Sequence, residues 1–422
     1  MFSRPFCLLP LLAALAFGQD PAATARKAVD LLLAGKYQDM QPLMTADLQK
    51  ELPPDNLAKL AGQFKTMGEL EKVGDPQVTK SGPNSIIVVP VKFTQRNLNL
   101  RFIVNGAGLL SLFVVQPGVV EWQRPEYSKP DTFDERPVTV GEGDWKLPGT
   151  LTVPKGAGPF PAVVLVHGSG PNDRDETVGG VRVFKDLAEG LASRGIVVLR
   201  YEKRTRQYGA RVSAAKNFTV ADETVDDAAK GAALLRTQKE VDPAKVYVLG
   251  HSLGGYVAPR IADEDGKLAG LIIMAGNVRP VEDLVIEQLQ SMGAQQSAID
   301  QAKAVQAKVK KLERGDEDSP AVMGAPPTYW LDLKNYNPAE KAKALGLPML
   351  ILQGERDYQV SMTDFNLWKA AVGSAKGVTL KSYPTLNHLF VAGEGKSLPA
   401  EYNKPGHVAA PVVDDIAAFV KR

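Results

Sequence analysis

Val246-Tyr247-Val248-Leu249-Gly250-His251-Ser252-Leu253-Gly254-Gly255 decides how this chain is read. Val246 to Leu249 favours a buried β-strand, Gly250 to Gly254 reads Gly-x-Ser-x-Gly, and helix-compatible sequence follows directly. A strand, a tight turn and a helix in that order make a nucleophile elbow, with Ser252 held on the turn. The glycines serve a steric need, because a serine on a strained turn requires neighbours without side chains. The helix opening after Ser252 aims backbone N–H groups at any anion formed there.

Around that run the grammar is strand, helix, strand, helix. Ala162–Val166, Gly195–Arg200, Val246–Leu249, Leu271–Met274 and Met349–Leu352 are continuous apolar runs with helical sequence between them. Such runs predict a mostly parallel sheet covered on both faces, over residues 138–422. Between strands, residues 277–346 form a helical insertion. This predicts a lid over the site, with a solvated helical excursion as the alternative.

A serine hydroxyl needs a base, and the base needs an orienting group. His388 lies in the loop after the last expected strand, Val378–Tyr383, and is the candidate base. His407, before a terminal helix, reads as structural. Asp357, three residues past Gly354 at the end of a buried strand, is the candidate acid. Glu355 is its rival, and a salt bridge to Arg356 is the alternative use of Asp357. A tetrahedral intermediate needs two N–H donors. The main chains of Leu253, directly after the serine, and of Ser169, in His167-Gly168-Ser169-Gly170, are the candidates. His167 reads as a brace for that loop, and His251 as pointing inward. Asp173, Arg174 and Asp175 are expected to brace the same loop through ion pairs, with a direct substrate contact by Arg174 as the alternative. Tyr329 and Trp330, in the insertion, are candidates for the substrate pocket or for its core.

Residues 21–117 differ. Helical spacing in Ala28–Leu33 and Leu57–Leu60 gives way to strand patterns at Ser85–Val91, Leu98–Val104 and Leu109–Val115, with a hairpin turn at Asn105-Gly106. This predicts a small α+β domain without a catalytic set, since it holds neither Cys nor His. A proline-rich linker is expected over 118–137.

The N-terminus carries Arg4, an apolar stretch from Phe6 to Phe17 and small residues around Ala16-Phe17-Gly18. Residues 1–18 read as a cleaved signal peptide, which predicts a secreted or periplasmic protein without a stable membrane anchor. Cys7, the only cysteine, falls inside that segment, so the mature chain is expected to lack thiols and disulfides. The net charge of +2 gives no reason to expect nucleic acid as a partner. No HExxH or paired CxxC implies a metal, and Gly393–Ser397 lacks the strand and upstream glycine of a phosphate loop, so no cofactor is expected.

HGSGPNDRDE (167–176), LRYEKRT (199–205), GHSLGG (250–255) and GERD (354–357), in this order, resemble bacterial exported α/β-hydrolases of the esterase type. The resemblance covers Gly149 to Arg422, with Glu202 standing where Asp is more usual. It implies carboxylesterase action on acyl esters with Ser252, Asp357 and His388 as triad. The layout of 21–117 is similar to the cone-shaped nuclear-transport-factor-two domain. A binding module or a homodimer contact is the role expected of these residues. A peptidase or amidase, an acyltransferase, and a binding protein without chemistry stand as the other readings.

Overall fold

A computed structural model describes residues 20–94, 96–118 and 122–422. The expected signal peptide lies outside the described residues. The chain divides into two compact units, Met1–Val120 and Glu121–Arg422. Among the described residues no helix is long and apolar enough to cross a membrane.

In the first unit, helix Pro21–Leu33 starts on Asp20, whose carboxylate accepts the Ala22 N–H at 3.0 Å. Strands Asn84–Phe93, Asn97–Val104 and Leu110–Pro117 run antiparallel, and Leu70–Val73 and Gln77–Ser81 both pair with the first of them. Alternation decides the faces: Ile87, Val89, Val91, Leu98, Leu100 and Phe102 are buried in one core with Ala28, Val29 and Leu32 of the helix. The expected hairpin turn between the last two strands falls at Asn105-Gly106. Asn105 opens it, its side chain accepting the Ala107 and Leu109 N–H groups at 3.0 Å each. Gly108, not Gly106, takes the positive φ, +80°.

The second unit is built on eight strands: β1 Phe133–Val140, β2 Leu147–Pro154, β3 Phe160–Val166, β4 Val197–Tyr201, β5 Val241–His251, β6 Gly270–Met274, β7 Met349–Gly354 and β8 Val378–Tyr383. Their order across the sheet is β8-β7-β6-β5-β3-β4-β2-β1. From β4 to β8 the pairing is parallel, while β1 and β2 add an antiparallel edge. On β5, Val246 and Val248 enter the core on one face and Tyr247 and Leu249 that on the other. Burial on both faces is why these strands are continuously apolar.

The expected linker over 118–137 is corrected here. Residues 133–137 are sheet, and the segment before them is fastened to helix Val183–Ala192. Trp122 donates to Asp186 at 2.8 Å, Arg124 pairs with Glu189 at 2.7 Å, and the Ser128 hydroxyl donates to Glu189 at 2.6 Å. Its prolines and charges suit a strapped edge as well as a linker. His407 joins the same staple, its Nδ1 3.2 Å from Asp186, which holds its pKa above the usual histidine value.

The insertion after β6 forms helices Val281–Ser291, Gln296–Lys311, Pro327–Leu333 and Pro338–Leu345. The last belongs to the body of the domain: Ala339 and Ala342 are buried in the main core.

Candidate active site

β5 ends at His251 and helix Leu253–Asp265 starts at the next residue but one, so Ser252 alone makes the turn. It does so at φ +54° and ψ −116°, outside the regions open to most side chains. The strain persists because the surroundings leave no alternative. A Cβ on Gly250 would stand 2.2 Å from the Gly254 backbone, and one on Gly254 would stand 2.2 Å from the Val166 carbonyl. Helix and strand therefore approach more closely than any side chain permits. The Ser252 N–H is tied to the Met274 carbonyl at 2.9 Å. Leu253 is the first helical residue, where N–H groups have no intrahelical partner.

His388 lies in the loop after β8 and Asp357 in the loop after β7, and both are buried. His388 Nδ1 is 2.6 Å from Asp357 Oδ2. Asp357 is itself fully bonded. Its Oδ1 accepts the Gln359 and Val360 N–H groups at 2.7 and 3.0 Å, and its Oδ2 accepts from Gln353 Nε2 at 3.0 Å. The rival Glu355 faces away and accepts the Ser382 hydroxyl at 2.7 Å. Arg356 pairs with Glu401 at 2.9 Å, so it does not occupy Asp357.

His251 links the base loop to the elbow. Its Nε2 donates to the His388 carbonyl at 2.9 Å, and its Nδ1 faces Glu176 at 3.0 Å. Burial alone would lower the His251 pKa, but the Glu176 carboxylate outweighs it and the net shift is upward. Glu176 in turn is held low: burial opposes this, but His251 and the Gly168 N–H, donated to Glu176 at 2.7 Å, stabilise its charge. His167 is different. Burial lowers it to about 4, so it stays neutral and its Nε2–H donates to the Asp173 carbonyl at 3.0 Å.

The loop after β3 passes directly against the serine, since a Cβ on Gly168 would lie 3.1 Å from that of Ser252. Of its three expected braces, Arg174 pairs with Glu202 at 2.7 Å and Asp175 with Arg200. Asp173 accepts backbone N–H groups of Asp175 and Thr177 instead, at 3.2 and 2.9 Å. Glu176 and Lys203 were not distinguished by the sequence. Both are buried charges on the site's loops, and only their presence within the quoted motifs marked them.

Ser169 opens onto a cavity of about 740 Å³. Its walls include Phe218, Val281, Met323, Tyr329 and Trp330, and the side chain of Glu223. Tyr329 donates to Glu223 at 2.8 Å, and Trp330 is buried against Val309 and Leu312 with its Nε1–H on the Val322 carbonyl at 2.9 Å. Both residues therefore serve as wall and as internal packing. Among the described residues no cluster of His, Cys, Asp or Glu is placed to hold a metal ion.

Residues 158–395 match the family described as serine aminopeptidase, S33, over more than half of the chain. The chain belongs to this family. Its sheet and elbow are those of an α/β-hydrolase. The chain is 41% identical over 397 residues to Esterase EstD of Thermotoga maritima, with 93% of each covered. Among solved structures, the Pyrococcus furiosus esterase Pf2001 matches at 15% identity and TM-score 0.44, covering 72% of this chain and 97% of that one. Est1E of Butyrivibrio proteoclasticus matches at 17% and 0.44, covering 68% and 97%.

Proposed function

We propose that this S33-family chain is an exported serine carboxylesterase for short- to medium-chain acyl esters, working through an acyl-serine intermediate. The observation that carries the reading is the buried Asp357–His388 pair, 2.6 Å apart, on the loops after β7 and β8, which lie to one side of β5 with β6 between. Asp357 keeps the proton on Nδ1 and leaves Nε2 as the base. Ser252 attacks the ester carbonyl as its proton passes to His388. The oxyanion receives the N–H groups of Ser169 and Leu253. His388 then protonates the departing alkoxide, and water repeats the cycle on the acyl-enzyme.

An aminopeptidase is the second reading, favoured by the family's description. It would need a carboxylate free to bind the substrate's amine. Glu223, the carboxylate on the cavity wall towards the oxyanion loop, is already engaged by Lys203 at 2.9 Å and Tyr329 at 2.8 Å. Glu317 and Asp318 also line the cavity, so the preference for neutral acyl groups rests on the ester-cleaving name of the relative at 41% identity.

The test is turnover of p-nitrophenyl esters from acetate to palmitate beside aminoacyl p-nitroanilides, with Ser252→Ala alongside. Ester turnover that is lost in Ser252→Ala is the expected result. Anilide turnover alone would move the chain to the peptidases. Export is checked by a mature N-terminus near residue 19, and an accessory or dimerising role for the first unit by the mass of the protein in solution.

A further inference from the structure

Lys203 is 2% exposed, and nothing in the chemistry above uses it. Burying a lysine costs several kcal/mol unless its surroundings compensate, so its partners should reveal its use. They are two. Nζ lies 2.9 Å from Glu223 Oε1 and donates at 2.8 Å to the carbonyl of Gly168. That carbonyl belongs to the peptide group whose other end is the Ser169 N–H.

We propose that Lys203 is a positioning and polarising residue of the oxyanion hole, acting through the Gly168–Ser169 peptide. The inference rests on Ser169 as oxyanion donor. A trans peptide is planar, with its C=O and N–H antiparallel, so whatever fixes the oxygen also fixes the direction of the N–H. Lys203 fixes it from behind, and Asn172 Nδ2 donates to the same oxygen at 3.1 Å. The preceding peptide is fixed too, by the Gly168 N–H on Glu176 at 2.7 Å. A cation on the carbonyl also draws electron density from the amide, leaving the N–H a stronger donor in this buried setting.

Glu223 holds the lysine in place. Its other oxygen accepts the Tyr329 hydroxyl, so one chain of bonds runs from the cavity wall in the insertion to the back of the oxyanion peptide. A lysine serving only to neutralise Glu223 would need no bond to this particular carbonyl. The two roles make opposite predictions.

The experiment compares Lys203→Met with the double variant Lys203→Met/Glu223→Gln, which removes both charges and keeps both shapes. The readouts are thermal unfolding, kcat and KM on a p-nitrophenyl ester, and affinity for an acyl trifluoromethyl ketone, whose serine adduct places an oxyanion in the hole. Lys203→Met is expected to unfold at lower temperature, and the double variant to recover most of that loss. The double variant is nevertheless expected to keep a kcat about 10–100-fold below the parent, with KM within about threefold, because a donor is weakened and not removed. Its ketone affinity should fall by the same factor as kcat/KM. A double variant within about threefold of parental kcat would overturn the proposal, as would a loss confined to KM. Ser252→Ala separates the two levels: turnover surviving in it refutes the esterase reading itself, whereas a dead Ser252→Ala beside an active double variant refutes only the role of Lys203.

Discussion

Replacing Asp357 by Asn changes one atom's chemistry in a site whose geometry dictates the outcome. An amide has one accepting and one donating end, so its orientation matters. Oδ1 accepts two backbone N–H groups, from Gln359 and Val360. Turning the new NH2 towards them would leave two buried donors unmet, at about 1–3 kcal/mol each. The amide oxygen therefore stays there, where it satisfies two donors, and the NH2 takes the place of Oδ2, where it costs only the one bond from Gln353 Nε2. It then faces His388 Nδ1, which Asp357 approaches at 2.6 Å. To meet a donor, Nδ1 has to accept, and the imidazole proton moves to Nε2. A histidine protonated at Nε2 cannot take the serine's proton. The expected loss in kcat is about 10⁴-fold, some 5 kcal/mol of transition-state stabilisation, with the fold intact. The assay is p-nitrophenyl butyrate hydrolysis, with thermal unfolding as the control for folding. Glu355→Gln, at a carboxylate that accepts the Ser382 hydroxyl and not a bond from His388, should stay within about twofold of the parent. A loss below tenfold in Asp357→Asn would refute the tautomer argument and the acid's identity with it.

Two further outcomes follow from the same geometry. Gly254→Ala drives a Cβ to 2.2 Å from the Val166 carbonyl, so unfolding measurements should show a loss of about 1–3 kcal/mol or more and kcat should fall over tenfold; Gly62→Ala, with open space around it in helix Pro54–Phe64, should be neutral or slightly stabilising, and equal behaviour of the two would contradict the steric reading. His167, lowered to about 4 by burial, withholds no stability above its unfolded pKa of about 6.5, but as pH falls towards 4 the unfolded chain binds a proton that the folded one refuses, so the stability advantage of the parent over His167→Gln should shrink by about 2–3 kcal/mol between pH 7.5 and 4.5 in urea unfolding, and a constant difference would show that the ring is not kept neutral.

What the chain discloses before folding depends on the distance over which each feature is determined. β3, β5, β6 and β7 are legible because a parallel strand covered on both faces must be apolar along its length. Ser252 is legible because the steric demand for Gly250 and Gly254 falls on its immediate neighbours. β1 is not, since an antiparallel edge strand carrying Asp134, Glu135 and Arg136 has the composition of a connection. Asn105-Gly106 discloses the hairpin but not its inner geometry, because the side chain of Asn105 bonds two N–H groups ahead of it and the positive φ falls on Gly108. Glu176, Lys203 and Glu223 are charges like any others in the sequence. Their burial is set by partners brought from elsewhere, His251 for Glu176 and the Gly168 carbonyl for Lys203, and no local pattern encodes those meetings.

These buried charges share a property that bears on why they are there. Glu176 holds the Gly168 N–H, Lys203 the Gly168 carbonyl, and His251 the His388 carbonyl. Each ends on a backbone group of a loop that the proposed chemistry needs rigid. As contributions to stability such pairs are poor, because desolvation consumes most of the attraction, and apolar residues of the same size would often serve as well. Apolar residues, however, cannot set the direction of a peptide. A loop free to rotate its Gly168–Ser169 amide would have to reorganise as charge develops, and that reorganisation adds directly to the barrier. Bonding the same amide from behind moves the ordering into folding, where it is done once per molecule and not once per turnover. The arrangement therefore trades stability for preorganisation, with the cross-links running between the loops of β3, β5 and β8 beneath Ser252. It follows that Glu176→Gln, which keeps a donor and an acceptor beside Gly168 and His251 but removes the charge, should cost more in kcat than in unfolding temperature; the reverse ranking would mark the pair as scaffolding only.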